Sequence, residues 1–182
     1  MQWSKLRSTL EERFAPSLRG RVSLHQARYR HAREEVGRVW FAVDGREVAA
    51  FATGARWRQV RTAADRLMDE RAAWGSSAAH EEAIAEAAAA AREAGVYGDS
   101  DALTELEAFL SMPIDEALAS PSPLLRTLAV LDGRVGKRRL AALLREPGGH
   151  PLVRMMLELR CAAEGVAIAR PSPNEKLPPT SA

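Results

Sequence analysis

Two apolar runs of strand length, Arg38–Val43 and Arg46–Thr53, are separated only by Asp44-Gly45. That dipeptide accepts positive φ at both positions, as a two-residue type I′ turn demands, and such a turn matches the right-handed twist of paired strands. The chain is thereby committed to a β-hairpin near its N-terminal third. A plain two-residue loop pairs Phe41 with Val48 and Val39 with Ala50 on one face, and sets Trp40 opposite Ala49 on the other. Just upstream, Val22, Leu24 and Gln26 alternate with Arg21, Ser23 and His25, which predicts a further strand to about Arg30.

Around this sheet the pattern is helical. Trp3, Leu6, Leu10 and Phe14 fall on one helical stripe, with Ser4 a candidate cap and Pro16 a stop. Trp57, Val60, Ala64, Leu67, Met68, Arg71 and Trp74 trace one side of another helix, which Gly75-Ser76-Ser77 breaks; this stripe favours the core for Trp57 and Trp74, the alternative being that they, like Trp40, are exposed interface anchors. An alanine-rich helix follows over about Ala78–Ala94, with Gly95 as its stop. From Asp99 onward short helices are predicted. Ser100 is a candidate cap, Pro113 sits where a first-turn proline is tolerated, and Ser122-Pro123 and His150-Pro151 each open a helix. Pro123-Leu124-Leu125-Arg126 and Pro151-Leu152-Val153-Arg154 align at a fixed offset, which reads either as a helix-pair repeat or as reuse of proline at the first helical position. The expectation is an α+β fold: an N-terminal helix on a three-stranded antiparallel sheet over 1–55, a helical connecting segment over 56–98, a C-terminal helical region over 99–169, and a proline-rich disordered tail over 170–182.

Composition narrows the chemistry. A single cysteine, Cys161, excludes an internal disulfide framework, and no CxxC pair exists. The N-terminus interleaves charged and apolar residues, unlike a secretory signal, and no run approaches the ~18 consecutive apolar residues of a membrane span, so the cytoplasm is the expected address. Charge is uneven. Residues 1–75 carry 15 Lys+Arg against 9 Asp+Glu, residues 76–120 carry ten acids against Arg92 alone, and residues 121–182 carry ten basic residues against five acids. The simplest reading is that acidic helices compensate basic neighbours; the alternative is a basic face left free for an anionic partner.

No catalytic motif is present. His25, His31, His80 and His150 are scattered, and His25 and His31 would lie roughly 20 Å apart on a straight strand, too far to share a metal. Adjacent acids such as Glu11-Glu12, Glu34-Glu35, Glu81-Glu82 and Asp115-Glu116 diverge by about 100° around a helix and read as solvated faces. Cys161, inside a strong helix, reads as a buried inert thiol. No catalytic, metal or cofactor residue is assigned, and no cofactor is expected. The densest basic patches are Arg19, Arg21, Arg28, Arg30, Arg33 and Arg38, and Arg134, Lys137, Arg138 and Arg139. From these, Arg28, Arg30, Trp40, Lys137, Arg138 and Arg139 form the candidate interaction surface, since arginine and aromatic residues dominate interface energies.

Trp3-Ser4-Lys5-Leu6, Gly20-Arg21-Val22 with Arg28-Tyr29-Arg30, and Asp44-Gly45 with Glu47 are joined in the C-terminal half by Met112-Pro113-Ile114, Gly136-Lys137-Arg138-Arg139-Leu140 and Leu159-Arg160-Cys161 with Glu164-Gly165. In these segments the chain resembles a small family of bacterial conserved hypothetical proteins with no assigned activity. The resemblance implies no site residue. The functional expectation is therefore a non-catalytic protein-interaction module, of the kind immunity proteins and antitoxins represent, whose partner is another protein and not a membrane. The alternative is a nucleic-acid-associated protein using the basic patches, and an enzyme with a site assembled from distant residues ranks third.

Overall fold

The computed structural model of the protein describes residues 2–29 and 36–166. Arg30, His31, Arg33, Glu34, Glu35 and the tail predicted over 170–182 lie outside them. The elements run α1 (Trp3–Arg13), a 3₁₀ turn (Pro16–Leu18), β1 (Val22–Tyr29), β2 (Val36–Val43), β3 (Arg46–Ala52), α2 (Thr53–Glu70), α3 (Ser77–Glu93), α4 (Asp99–Phe109), α5 (Ile114–Ala119), α6 (Pro123–Leu131), α7 (Lys137–Arg145) and α8 (Pro151–Glu164). This is the expected α+β architecture, with an N-terminal helix, a three-stranded antiparallel sheet and a mostly helical C-terminal half.

The sheet order is β1-β2-β3. Asp44 (φ 48°) and Gly45 (φ 77°) make the tight turn, and Val43 pairs with Arg46 and Ala42 with Glu47, as a two-residue loop requires. Beyond that the expected register fails. A bulge at Phe41/Ala42 makes Val48 an extra residue, so Phe41 pairs with Ala49, Trp40 with Ala50 and Val39 with Phe51. The reason lies in the core. In a plain register Phe51 would stand on the outer face, whereas the bulge turns it inward beside Val39 and Phe41, where it is 4% exposed. There it meets Phe41 edge-on at 6.3 Å and Tyr97 edge-on at 5.7 Å. Burying a phenylalanine is worth roughly 2–3 kcal/mol, more than one interrupted ladder position costs.

Helix α1 packs on β1 through Leu6 and Leu10, and α4 packs on β2 and β3 through Ala102 and Leu106. The outer edge of β1 is closed in part by Glu11, whose Oε1 accepts the Leu24 N–H at 2.8 Å. The C-terminal helices share this core, with α6 buried along nearly its whole length. Caps differ from expectation at two helices. Helix α1 starts after Gln2 with no side-chain cap instead of at Ser4, and α4 starts after Gly98, leaving Ser100 inside its first turn. Ser122 and His150 do cap α6 and α8, each followed by proline at the first position. Among the described residues no helix is long and apolar enough to cross a membrane.

Candidate functional site

Five Lys and Arg side chains, together with His150, reach carbonyls at helix C-termini. The last carbonyls of a helix lack intrahelical donors and carry the negative end of its dipole, so a cation there is doubly favourable. Arg19 donates to the Glu12 carbonyl at the end of α1 (3.3 Å), and Arg13 to the Leu110 carbonyl at the end of α4 (2.7 Å). Arg154 donates to the Leu144 carbonyl of α7 (3.0 Å), and Lys137 to the Glu164 carbonyl of α8 (2.7 Å). The His150 Nε2 lies 3.1 Å from the Ala94 carbonyl that ends α3. Arg160 is the most deeply placed of the set, 1% exposed, donating to the carbonyls of Val130, Asp132 and Val135 around the end of α6 and to Glu164 at 3.0 Å.

Several residues of the predicted surface have partners of their own within the fold. Lys137 is tied to α8, Arg139 is ion-paired with Asp115, and Arg138 is exposed on α7 without an ion pair among the described residues. Trp40 is half-buried on the outer sheet face, stacked on His25 (centroids 5.2 Å apart, planes 14° apart), with Arg38 5.2 Å from its ring and ion-paired to Glu47. Arg28 is exposed at the end of β1, and strand alternation points it to the face opposite Trp40. Arg30 lies outside the described residues.

Tyr97, Ser122 and Glu105 form a hydrogen-bonded polar cluster inside the fold. The Ser122 hydroxyl donates to Glu105, accepts the Leu125 N–H at 3.2 Å as the α6 cap, and lies 3.0 Å from the Tyr97 hydroxyl. Burial pushes both the Glu105 carboxyl and the Tyr97 phenol above their ordinary values. With its proton and lone pairs engaged and no histidine beside it, Ser122 holds structure together. Burial likewise raises the Cys161 thiol. A hollow of about 170 Å³ between α5, α6, α7 and α8, floored by Leu118, Val130, Val153 and Leu157, is smaller than the ~300 Å³ at which small-molecule sites usually begin. No group of three or more His, Cys, Asp or Glu side chains among the described residues is placed to hold a metal ion.

The α2–α3 hairpin stands apart. Val60, Ala64 and Met68 of α2 pack on Ala83 and Ala87 of α3 in a small cluster separate from the main core. Its base is tied to α4: Thr53 donates to Asp99, and Asp101 is paired with Arg92 (3.0 Å) and lies 3.4 Å from the Arg56 Nε. Gly95 is required where His150 meets the base, because its φ is +74° and a Cβ there would lie 2.6 Å from the imidazole Nε2. The expectation that Trp57 and Trp74 are core residues is overturned: they are 47% and 57% exposed. An alanine helix gives α2 a close neighbour but too little side-chain depth to cover an indole. Trp74 is nevertheless fixed, its Nε1 donating to Asp69 at 2.6 Å within a tip where Ala72 has φ +48° and Gly75 φ +101°.

A sequence model of one family matches residues 2–161, which takes in every element down to the last turn of α8. The chain belongs to the SF0329 protein family. The α2–α3 hairpin lies inside the span matched to SF0329, as do Arg160 and its carbonyl acceptors. No curated protein and no solved structure matches the chain.

Proposed function

We propose that the chain is a non-catalytic protein-interaction module whose contact element is the α2–α3 hairpin. The observation that carries this reading is the pair of exposed tryptophans, Trp57 at the base and Trp74 at the tip, on a helical hairpin with its own small core. Exposed indoles are the side chains most often found at the energetic centre of protein interfaces, and a tethered one loses little conformational freedom on binding. The nucleic-acid alternative has less to draw on, because Lys137 and Arg139 already have partners within the fold. The test is affinity capture of the tagged chain from its own cells, with and without nuclease, alongside a Trp57→Ser/Trp74→Ser variant. A stoichiometric protein that survives nuclease and is lost with the variant supports the reading. Recovery of nucleic acid alone, lost on nuclease treatment, reverses it.

A further inference from the structure

We infer that the partner of this hairpin is a second copy of the chain, docked antiparallel across a two-fold axis along the flank of α2 that carries exposed Arg58, Arg61 and Asp69 and half-buried Asp65. The inference rests on the interaction reading above and names its occupant. Arg58, Arg61, Asp65 and Asp69 follow one another at i, i+3, i+7 and i+11, so at 100° per residue they share one side of the helix within about 80°. The two cations lie toward the N-terminus of the stripe and the two carboxylates toward its C-terminus. None of Arg58, Arg61 or Asp65 forms an ion pair among the described residues, and Asp69 uses only Oδ1, on Trp74.

Such a stripe is complementary to itself in one direction only. Laid antiparallel about a centre near Ala63, Arg58 faces Asp69 of the second copy and Arg61 faces its Asp65, each within about one residue, or ~1.5 Å, of alignment. A parallel arrangement sets arginine on arginine and carboxylate on carboxylate. A two-fold axis repeats each contact, which is the condition for a closed dimer. The tryptophans fit the same geometry. Trp74 is tethered to Asp69, and Trp57, about 100° round from Arg58 but one turn before Arg61, borders the stripe, so indoles 57% and 47% exposed in the single chain flank its two ends. A flank one 18-residue helix long makes a small interface, so the expected dimer is micromolar and strongly salt-dependent.

The experiment is sedimentation equilibrium of the full chain up to about 200 μM, in roughly 50 mM and 500 mM salt. Dimerisation weakened about tenfold or more by salt is expected. Two charge-reversal variants decide the geometry: Arg58→Asp/Arg61→Asp and Asp65→Arg/Asp69→Arg should each be monomeric alone and should form a one-to-one heterodimer when mixed. Thr62→Cys, near the axis, should yield a disulfide-linked dimer on mild oxidation and does not depend on the folding of the charge variants. A wild-type chain monomeric throughout, variants that still self-associate, or no cross-link from Thr62→Cys would overturn the inference. A monomeric wild type whose capture of another protein still depends on Trp57 and Trp74 would sink only the choice of partner.

Discussion

Arg160 is the side chain whose replacement tests this account of the fold most directly. It lies on α8 at 1% exposure and satisfies acceptors at the far end of α6: Nη1 reaches the carbonyls of Val130 (2.7 Å) and Asp132, Nη2 that of Val135, and Nε the Glu164 carboxylate (3.0 Å). Arg160→Met preserves most of the volume but takes the guanidinium from the Val130 and Val135 carbonyls, while the Asp132 carbonyl keeps the Val135 N–H (3.1 Å) and the mostly buried Glu164 carboxylate keeps the Ser17 hydroxyl (3.4 Å). Removing one partner of a buried, hydrogen-bonded charge costs about 3–5 kcal/mol, and each orphaned acceptor about 1 kcal/mol or more, so a loss near 4 kcal/mol is expected. That is a large share of the roughly 5–15 kcal/mol that holds a domain folded. In urea, with a slope of about 2 kcal/mol/M, the midpoint should fall by about 2 M. Arg160→Lys keeps the charge but not the planar fork that spans several carbonyls, and should lose about half as much. The assay is urea denaturation followed by far-UV circular dichroism. A loss below about 1 kcal/mol for Arg160→Met would refute the reasoning, because it would mean the end of α6 finds other donors at little cost.

Three further outcomes follow from the same geometry. Deleting Val48 removes the bulge but still leaves Val39 opposite Phe51, so Phe51 stays inward and the deletion should cost far less than Phe51→Ala, roughly 3–4 kcal/mol; thermal melts of the two variants compare them. Gly37→Ala would place a Cβ 1.7 Å from Asp99 Oδ2, displacing the carboxylate from Thr53, for a loss of about 1–2 kcal/mol; in an Asp99→Ala background the same change should cost little, which a double-mutant cycle measures. The Glu105 carboxyl has a folded pKa raised above its unfolded value by burial, so its contribution favours folding at low pH and turns unfavourable as pH rises through the folded pKa. Glu105→Gln should therefore raise the melting temperature relative to wild type at pH 7.5 and lose that advantage near pH 4; an equal shift at both pH values would exclude the linkage.

The parts of this fold legible in sequence are those whose cause is local. Asp44-Gly45 needs only its own backbone freedom to make the turn, and Ser122-Pro123 and His150-Pro151 need only a cap and a fixed φ. The bulge at Val48 was hidden because its cause is Tyr97, far along the chain, which completes the aromatic pocket that Phe51 fills. Trp57 and Trp74 kept the spacing of a buried stripe, and the contrary signal lay in the facing helix, where Ala83 and Ala87 could never have covered them. The basic residues illustrate a related point. In a list of residues Arg160 is one more positive charge, but its acceptors lie 25 to 30 residues away, at a helix end that exists only once α6 has folded. A count of arginines therefore includes donors for helix termini as well as charges of a surface field. What distinguishes Arg58 and Arg61 from that supply is that among the described residues neither has a carbonyl to cap or an ion-pair partner, beside tryptophans the fold leaves uncovered.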